Sequence, residues 1–183
     1  MISDKEKWDK KHKENPPNTT PLELLKNYIH LAQDCEYKVA LDIACGMGRN
    51  SYFMRDSGFI VDSIDISSTA IESLKNQHNI NAICVDLDDF IIEENKYALV
   101  VNSFFLDRRL FPQITKSLKK NGILIFETFV INKPNNTPIN INHMLHKNEL
   151  LRAFLNLEIL FYEESLLNKN DDSTLVARLV ARG

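Results

Sequence analysis

Apolar positions along the chain fall in short, dense blocks separated by polar, helix-periodic stretches. KVALDI, FIVDSIDI, NAICVDL, YALVVNSFF and GILIFETFV are each apolar with little polar alternation, centred near residues 41, 62, 83, 99 and 125. Strands of that kind are covered on both faces, which is the pattern of a parallel sheet. Helical segments connect several of them. NSYFMRDS ends at Gly58, and STAIESLKNQ starts with Thr69-x-x-Glu72, which reads as a capping box. FPQITKSLKKNG has Pro112 in its first turn and Asn121-Gly122 as its stop. Ahead of the first strand, a helix from Thr20 or Pro21 to about Gln33 lines up Leu22, Leu25, Ile29 and Ala32.

The end of the chain breaks the alternation. HKNELLRAFLN reads as a helix, and LEILFYEE and STLVARLVA as strands. The polar link between those strands, from Ser165 to Asp171, is too short for a crossover, so they pair antiparallel. The expected fold is α/β: one Rossmann-like domain with a mainly parallel sheet, helices on both faces and an antiparallel C-terminal hairpin. No internal repeat or second core is present. Residues 1–20 are polar, rich in lysine and closed by Pro16-Pro17. They read as an N-terminal arm or lid on a domain of residues 21–183, with Trp8, the only tryptophan, expected to fold over the cofactor or acceptor.

Composition narrows the partners. The 183 residues carry 22 Lys plus Arg against 25 Asp plus Glu, a net charge of −3. That balance argues against nucleic acid and against a polybasic membrane anchor. The longest apolar runs fall far short of the roughly 20 residues of a membrane span. The N-terminus lacks a hydrophobic signal core, and Cys35, Cys45 and Cys84 show no metal spacing. The expectation is a cytoplasmic protein with no metal, no membrane and a small-molecule partner. Nothing in the sequence sets the oligomeric state.

The chemistry collects at strand ends. LDIACGMGRNS turns from the first strand into a helix through Gly46 and Gly48. Glycine admits positive φ there, and the helix start offers unpaired N–H groups. Asp65 ends the second strand, 19 residues after Gly46, a spacing suited to ribose hydroxyls. Asp86 ends the third strand, where a carboxylate accepts from an adenine amine, and Ile66 and Leu87 flank it as apolar walls for a flat base. Asn102 follows the fourth strand. A dinucleotide fingerprint wants a third glycine where Ser51 stands, a P-loop lysine is missing, and Asp42 would repel a pyrophosphate. The corner therefore favours an adenosine that carries an amino acid.

These runs, together with VVNSFFLDRRLFPQITKSLKKNGILIFETF, resemble the class I S-adenosylmethionine-dependent methyltransferases. They are most similar to the small bacterial branch that includes tellurite-resistance-type methyltransferases, over about residues 38–130. The resemblance implies a seven-stranded sheet with an antiparallel last strand. It also implies S-adenosylmethionine as cofactor, S-adenosylhomocysteine as product, and methyl transfer to a small soluble acceptor, anionic, oxyanion or thiol. Asp42, Gly46 and Gly48 would form the cofactor loop, and Arg49 and Asn50 would stand near the methionine carboxylate. Asp65 would take the ribose, Asp86 and Leu87 the adenine edge, and Asn102 the methionine end. Ala44 replaces a glycine common in the family, and NSFF replaces the Asn/Asp-Pro-Pro-Tyr of amide and adenine methyltransferases.

On the acceptor side, Phe104, Phe105 and Phe129 are candidates for an apolar wall, and Arg108 and Arg109 for an anion site. Glu127, His143 and Trp8 complete the candidates. Cys45 reads as a small packed residue. The rival readings are a non-catalytic S-adenosylmethionine-binding protein and a nicotinamide-dependent oxidoreductase, the latter disfavoured by Ser51.

Overall fold

The computed structural model describes residues 3–32, 37–132, 140–167 and 174–183. Seven strands form one sheet: β1 Val39–Ile43, β2 Ile60–Asp65, β3 Ile80–Cys84, β4 Tyr97–Ser103, β5 Leu118–Val130, β6 Glu158–Leu166 and β7 Leu175–Arg182. Their order is β3-β2-β1-β4-β5-β7-β6. β1 to β5 pair parallel, and β7 runs antiparallel to both β5 and β6. The strand order reverses between β1 and β4. In an open parallel sheet that switch point leaves a crevice at the carboxyl ends of the strands.

Side-chain alternation divides the core. Ala40, Val61, Leu99, Val101, Ile123 and Ile125 pack on one face with Leu25 of α2 (Glu23–Tyr28) and Met54 of α3 (Arg49–Asp56). Leu41, Ile64, Val100, Leu124 and Phe126 pack on the other. There they meet Ile114 of α5 (Phe111–Ser117), Leu150 of α6 (Glu149–Ala153) and Phe154 just beyond it. A smaller cluster joins Ile71 and Leu74 of α4 (Ser68–Leu74) to Cys45 and Ile80.

The structure corrects three local readings. First, α5 ends at Ser117 and the strand begins at Leu118, well before Asn121-Gly122. Leu118 pairs with Tyr97, so sheet pairing overrides the helical period of the sequence. Gly122 serves close backbone approach instead: a Cβ there would sit 2.8 Å from the Tyr97 carbonyl oxygen. Second, Ser67, and not Thr69, caps α4, its hydroxyl accepting from the Ala70 amide at 3.2 Å. Third, the first core helix is short, with α2 passing into a 3-10 turn over Ile29–Ala32; Gln33 lies outside the described residues, as does Cys35.

The polar N-terminal segment forms α1, Asp4–Glu14, opened by a Ser3–Glu6 capping box. None of its residues is buried. A helix with no apolar stripe needs polar attachments to stay in place, and α1 has them on α4.

Candidate functional site

The glycine corner lies at the switch point. Ala44, Gly46 and Gly48 take φ of 51, 54 and 79°, a left-handed alternation between β1 and α3. A left-handed alanine costs about 1–2 kcal/mol relative to its usual backbone, so Ala44 does at some expense what a glycine would do freely. Gly48 is required for a further reason: a Cβ there would lie 2.3 Å from Leu74 Cδ2, and Leu74 is fully buried.

Two acids converge on this corner. Asp65 Oδ2 accepts the Gly46 amide at 2.8 Å, and Oδ1 accepts the Ser67 amide at 2.8 Å. Asp42 is fully buried on β1; its Oδ2 accepts from Ser51 Oγ at 2.6 Å, and Ser63 Oγ donates to Ser51 Oγ at 2.8 Å. Among the described residues Asp42 Oδ1 has no hydrogen-bond partner. Burial pushes the Asp42 carboxyl up to about 7, with Asp65 adding to the rise and Ser51 and Arg49 opposing it. The Cys45 thiol is buried beside both acids and is pushed upward by burial first and then by their charge. A thiol held protonated is a packing group.

The other expected cofactor contacts stand around the same crevice. Arg49 and Asn50 open α3. The buried Asn50 amide bridges two elements, its Oδ1 accepting from Leu22 N at 2.9 Å and its Nδ2 donating to Ser103 Oγ at 3.1 Å. Asp86 is exposed after β3, Leu87 is buried against the core, and Ile66 is half-buried after β2. Asn102 is buried on β4; its Nδ2 donates to the Phe105 carbonyl at 3.0 Å, and its Oδ1 has no partner among the described residues.

Sequence reasoning missed how α1 meets this corner. Asp9 Oδ1 accepts from Ser67 Oγ at 2.7 Å and from Thr69 N at 2.9 Å, and Oδ2 accepts from Ser68 Oγ at 3.1 Å. Those hydrogen bonds hold the Asp9 carboxyl well below the ordinary carboxylate range. One turn on, the His12 ring approaches within 3.5 Å of the position a Gly46 Cβ would take. Trp8 stacks on His12 with centroids 5.9 Å apart.

The acceptor-side candidates divide. Phe104 and Phe129 come together at 5.0 Å, Arg49 stands 5.7 Å over the Phe104 ring, and Glu127 lies on β5 in register with Ser103. Phe105 packs on the opposite face of the sheet from Phe104. Arg108 and Arg109 are engaged elsewhere. Arg108 Nε donates to Glu149 Oε1 at 2.5 Å and its Nη2 to Oε2 at 3.0 Å, and it also holds the Asn142 and Met144 carbonyls. Arg109 donates to Asp107 and to Asp88. These are bracing contacts, with carboxylates of this chain occupying both guanidiniums. His143 is exposed in a 3-10 turn between the two carbonyls that Arg108 holds.

The strand order, the antiparallel β7, the glycine corner and the acids after β2 and β3 together define the class I methyltransferase fold. A family model for TehB, the tellurite resistance protein TehB, matches residues 4–178, and the chain belongs to that family. The TehB protein of Haemophilus influenzae (strain ATCC 51907 / DSM 11121 / KW20 / Rd), described as a probable S-adenosyl-L-methionine-dependent methyltransferase, is 29% identical, covering 73% of this chain and 51% of its own. The chain thus spans about half the length of the curated relatives it matches. The crystal structure of TehB from Haemophilus influenzae superposes with a TM-score of 0.71 at 23% identity, over 86% of this chain and 61% of that one. Geranyl diphosphate C-methyltransferase from Streptomyces coelicolor A3(2), solved with Mg2+, geranyl diphosphate and S-adenosyl-L-homocysteine, superposes at 0.66 with 16% identity, over 87% and 76%. Among the described residues no helix is long and apolar enough to cross a membrane, and no group of three or more His, Cys, Asp or Glu is arranged to hold a metal ion.

Proposed function

We propose that this chain is an S-adenosylmethionine-dependent methyltransferase acting on a small acceptor at the carboxyl ends of β4 and β5. The observation that carries the reading is Asp42. A buried carboxylate with one unpartnered oxygen is stabilised by a cation, and the α-ammonium of a methionine moiety supplies one. A pyrophosphate in the same place would meet like charge from Asp42 and Asp65, which counts against a nicotinamide dinucleotide.

The remaining residues fit the same group. Each Asp65 oxygen accepts one amide and keeps a lone pair for a ribose hydroxyl. Exposed Asp86 suits the adenine amine, and Ile66 and Leu87 suit its faces. Arg49 and Asn50 suit the methionine carboxylate, and Asn102 the methionine end. S-adenosylmethionine, when bound, supplies a methyl group already activated on a sulfonium. The chain's own work is then alignment and exclusion of water, which supplies most of the acceleration in such displacements.

Residues 1–20 act as a lid on a body of residues 21–183 in this reading. Its support is the Asp9 attachment and the approach of His12 to Gly46. Calorimetry with S-adenosylmethionine, S-adenosylhomocysteine and NAD tests the cofactor. Binding of the first two and not of NAD is expected; the reverse order of affinity would sink the proposal. Methyl transfer to thiol and oxyanion probes then separates an enzyme from a binding protein.

A further inference from the structure

Glu127 is a carboxylate with almost no access to water. It is 3% exposed, on a strand with neighbours on both sides, partnered in register by Ser103 of β4 and Arg178 of β7. Alternation sends its side chain to the face of Ile123, Ile125 and α3. Arg178 meets it there, Nε donating to Glu127 Oε2 at 3.0 Å. Arg178 Nη1 is tied to Glu163 Oε2 at 3.1 Å and Ser165 Oγ at 2.5 Å of β6. The Arg178 contact to the Glu127 carboxylate falls on Oε2, not on Oε1.

The surroundings are aromatic. Phe104 takes φ +57, unusual for a bulky residue, and its amide donates to the Glu127 carbonyl at 2.7 Å. That turn brings its ring to Phe129. Strained backbone of this kind concentrates at functional sites. The charged groups that face Glu127 are Arg49 from α3, Arg178 from β7 and Glu163 from β6. Arg178 is engaged by both Glu127 and Glu163, and Arg49 is assigned above to the methionine carboxylate. An anionic acceptor is thus left no guanidinium here, whereas a neutral group carrying its own proton finds a carboxylate oxygen.

Resting on the methyltransferase reading above, we propose that Glu127 is the proton acceptor for a neutral thiol acceptor, with Arg178 as its positioning residue. Glu127 Oε1 takes the thiol proton as the new sulfur–carbon bond forms. The pair of the broken carbon–sulfur bond stays on the donor's sulfur, which leaves neutral. Burial pushes the Glu127 carboxyl upward, with Arg178 and Arg49 opposing the rise, so it gains proton affinity as a base. A thiol, with an ordinary pKa of about 8.5, lies closer to such a base than a phenol or an alkyl amine near about 10 does. The faces and edges of Phe104 and Phe129 also suit a polarisable sulfur.

The test uses the full chain, labelled S-adenosylmethionine and two probe thiols at near-neutral pH. Benzyl mercaptan arrives protonated and pentafluorothiophenol arrives as the thiolate. Glu127→Gln should lose about 100-fold or more on benzyl mercaptan, the scale of general-base catalysis, and stay within about 3-fold on pentafluorothiophenol. Its S-adenosylhomocysteine affinity by calorimetry should not change. Arg178→Lys should shift the lower limb of the pH–rate profile on benzyl mercaptan and leave the thiolate profile flat. Wild type alone gives the same comparison: rate on benzyl mercaptan falls as a carboxyl protonates, and rate on the thiolate does not. Equal losses on both thiols, or matching pH profiles, overturn the base role. A protein that binds S-adenosylmethionine yet methylates neither thiol overturns the thiol class. Failure to bind S-adenosylmethionine sinks the methyltransferase reading itself, and the proposal with it.

Discussion

The Asp65 carboxylate accepts the Gly46 amide at 2.8 Å, fastening the corner after β1 to the end of β2. The same carboxylate accepts the Ser67 amide, so it also sets the turn into α4. The acid that its spacing picks out for a ribose is thus a clamp on the loop that would receive the rest of the ligand.

Asp65→Ala removes both the clamp and the ribose acceptor. Loss of a charge-assisted hydrogen bond is worth roughly 1.5–3 kcal/mol, so S-adenosylmethionine affinity should fall by about 10- to 100-fold in calorimetry. The Gly46 and Ser67 amides lose their acceptor too, so the melting temperature should drop while the fold is kept. Asp65→Asn, which retains one acceptor oxygen, should fall between. An alanine variant with wild-type affinity would remove the ribose role.

Asp42 makes stability depend on pH. Its folded-state pKa of about 7 lies above the ordinary 3.8, so between those values the folded protein binds more protons than the unfolded one. Stability without ligand should therefore decline as pH rises from about 4 to about 7. Asp42→Asn should flatten that decline in thermal melts. Because an ammonium compensates the ionised form, S-adenosylhomocysteine should raise the wild-type melting temperature more at the upper end of this window than at the lower. No such trend, or the same trend in Asp42→Asn, would show that the carboxylate does not face the ligand's cation.

The α1 attachment rests on Asp9. Asp9→Ala removes the acceptor for Ser67 Oγ, Ser68 Oγ and Thr69 N while leaving the buried core untouched. Expected results are altered Trp8 fluorescence, a melting temperature close to wild type, and faster cofactor dissociation. Removal of residues 1–15 should likewise spare stability and reduce turnover. If the truncated chain methylates as fast as the intact one, the segment is no lid.

Arg108 and Arg109 brace the loop after β4. Arg108→Ala releases Glu149 at the start of α6 and the Asn142 and Met144 carbonyls, and should lower the melting temperature. Arg109→Ala frees contacts made by an exposed guanidinium, and ion pairs open to solvent contribute about 0–1 kcal/mol, so its effect should be small. Neither should change the preference between charged and neutral acceptors. A selective loss on an anionic acceptor in either variant would restore the anion-site expectation.

The sequence by itself determined the local grammar of this protein. Dense apolar blocks marked the strands, the short polar link marked the antiparallel end, and Gly46, Gly48, Asp65 and Asp86 marked the strand ends proposed to receive a nucleoside ligand. All of these are signals of short range: periodicity, turn chemistry and fixed spacing along one connection. Tertiary structure decided what long-range pairing decides. β7 inserts between β5 and β6, and only that order brings Arg178 onto Glu127, 51 residues away, and leaves Glu163 at its other side. Arg108 found Glu149 across 41 residues, so a pair of arginines that reads as an anion site became a brace. Asp9 reached the α4 cap across about 60 residues from a helix with no buried face. Leu118 left its helix because Tyr97 offered it a strand partner. In each case a polar or backbone group took the nearest complementary partner in space, and the neighbourhood was set by strand order, which no local pattern encodes.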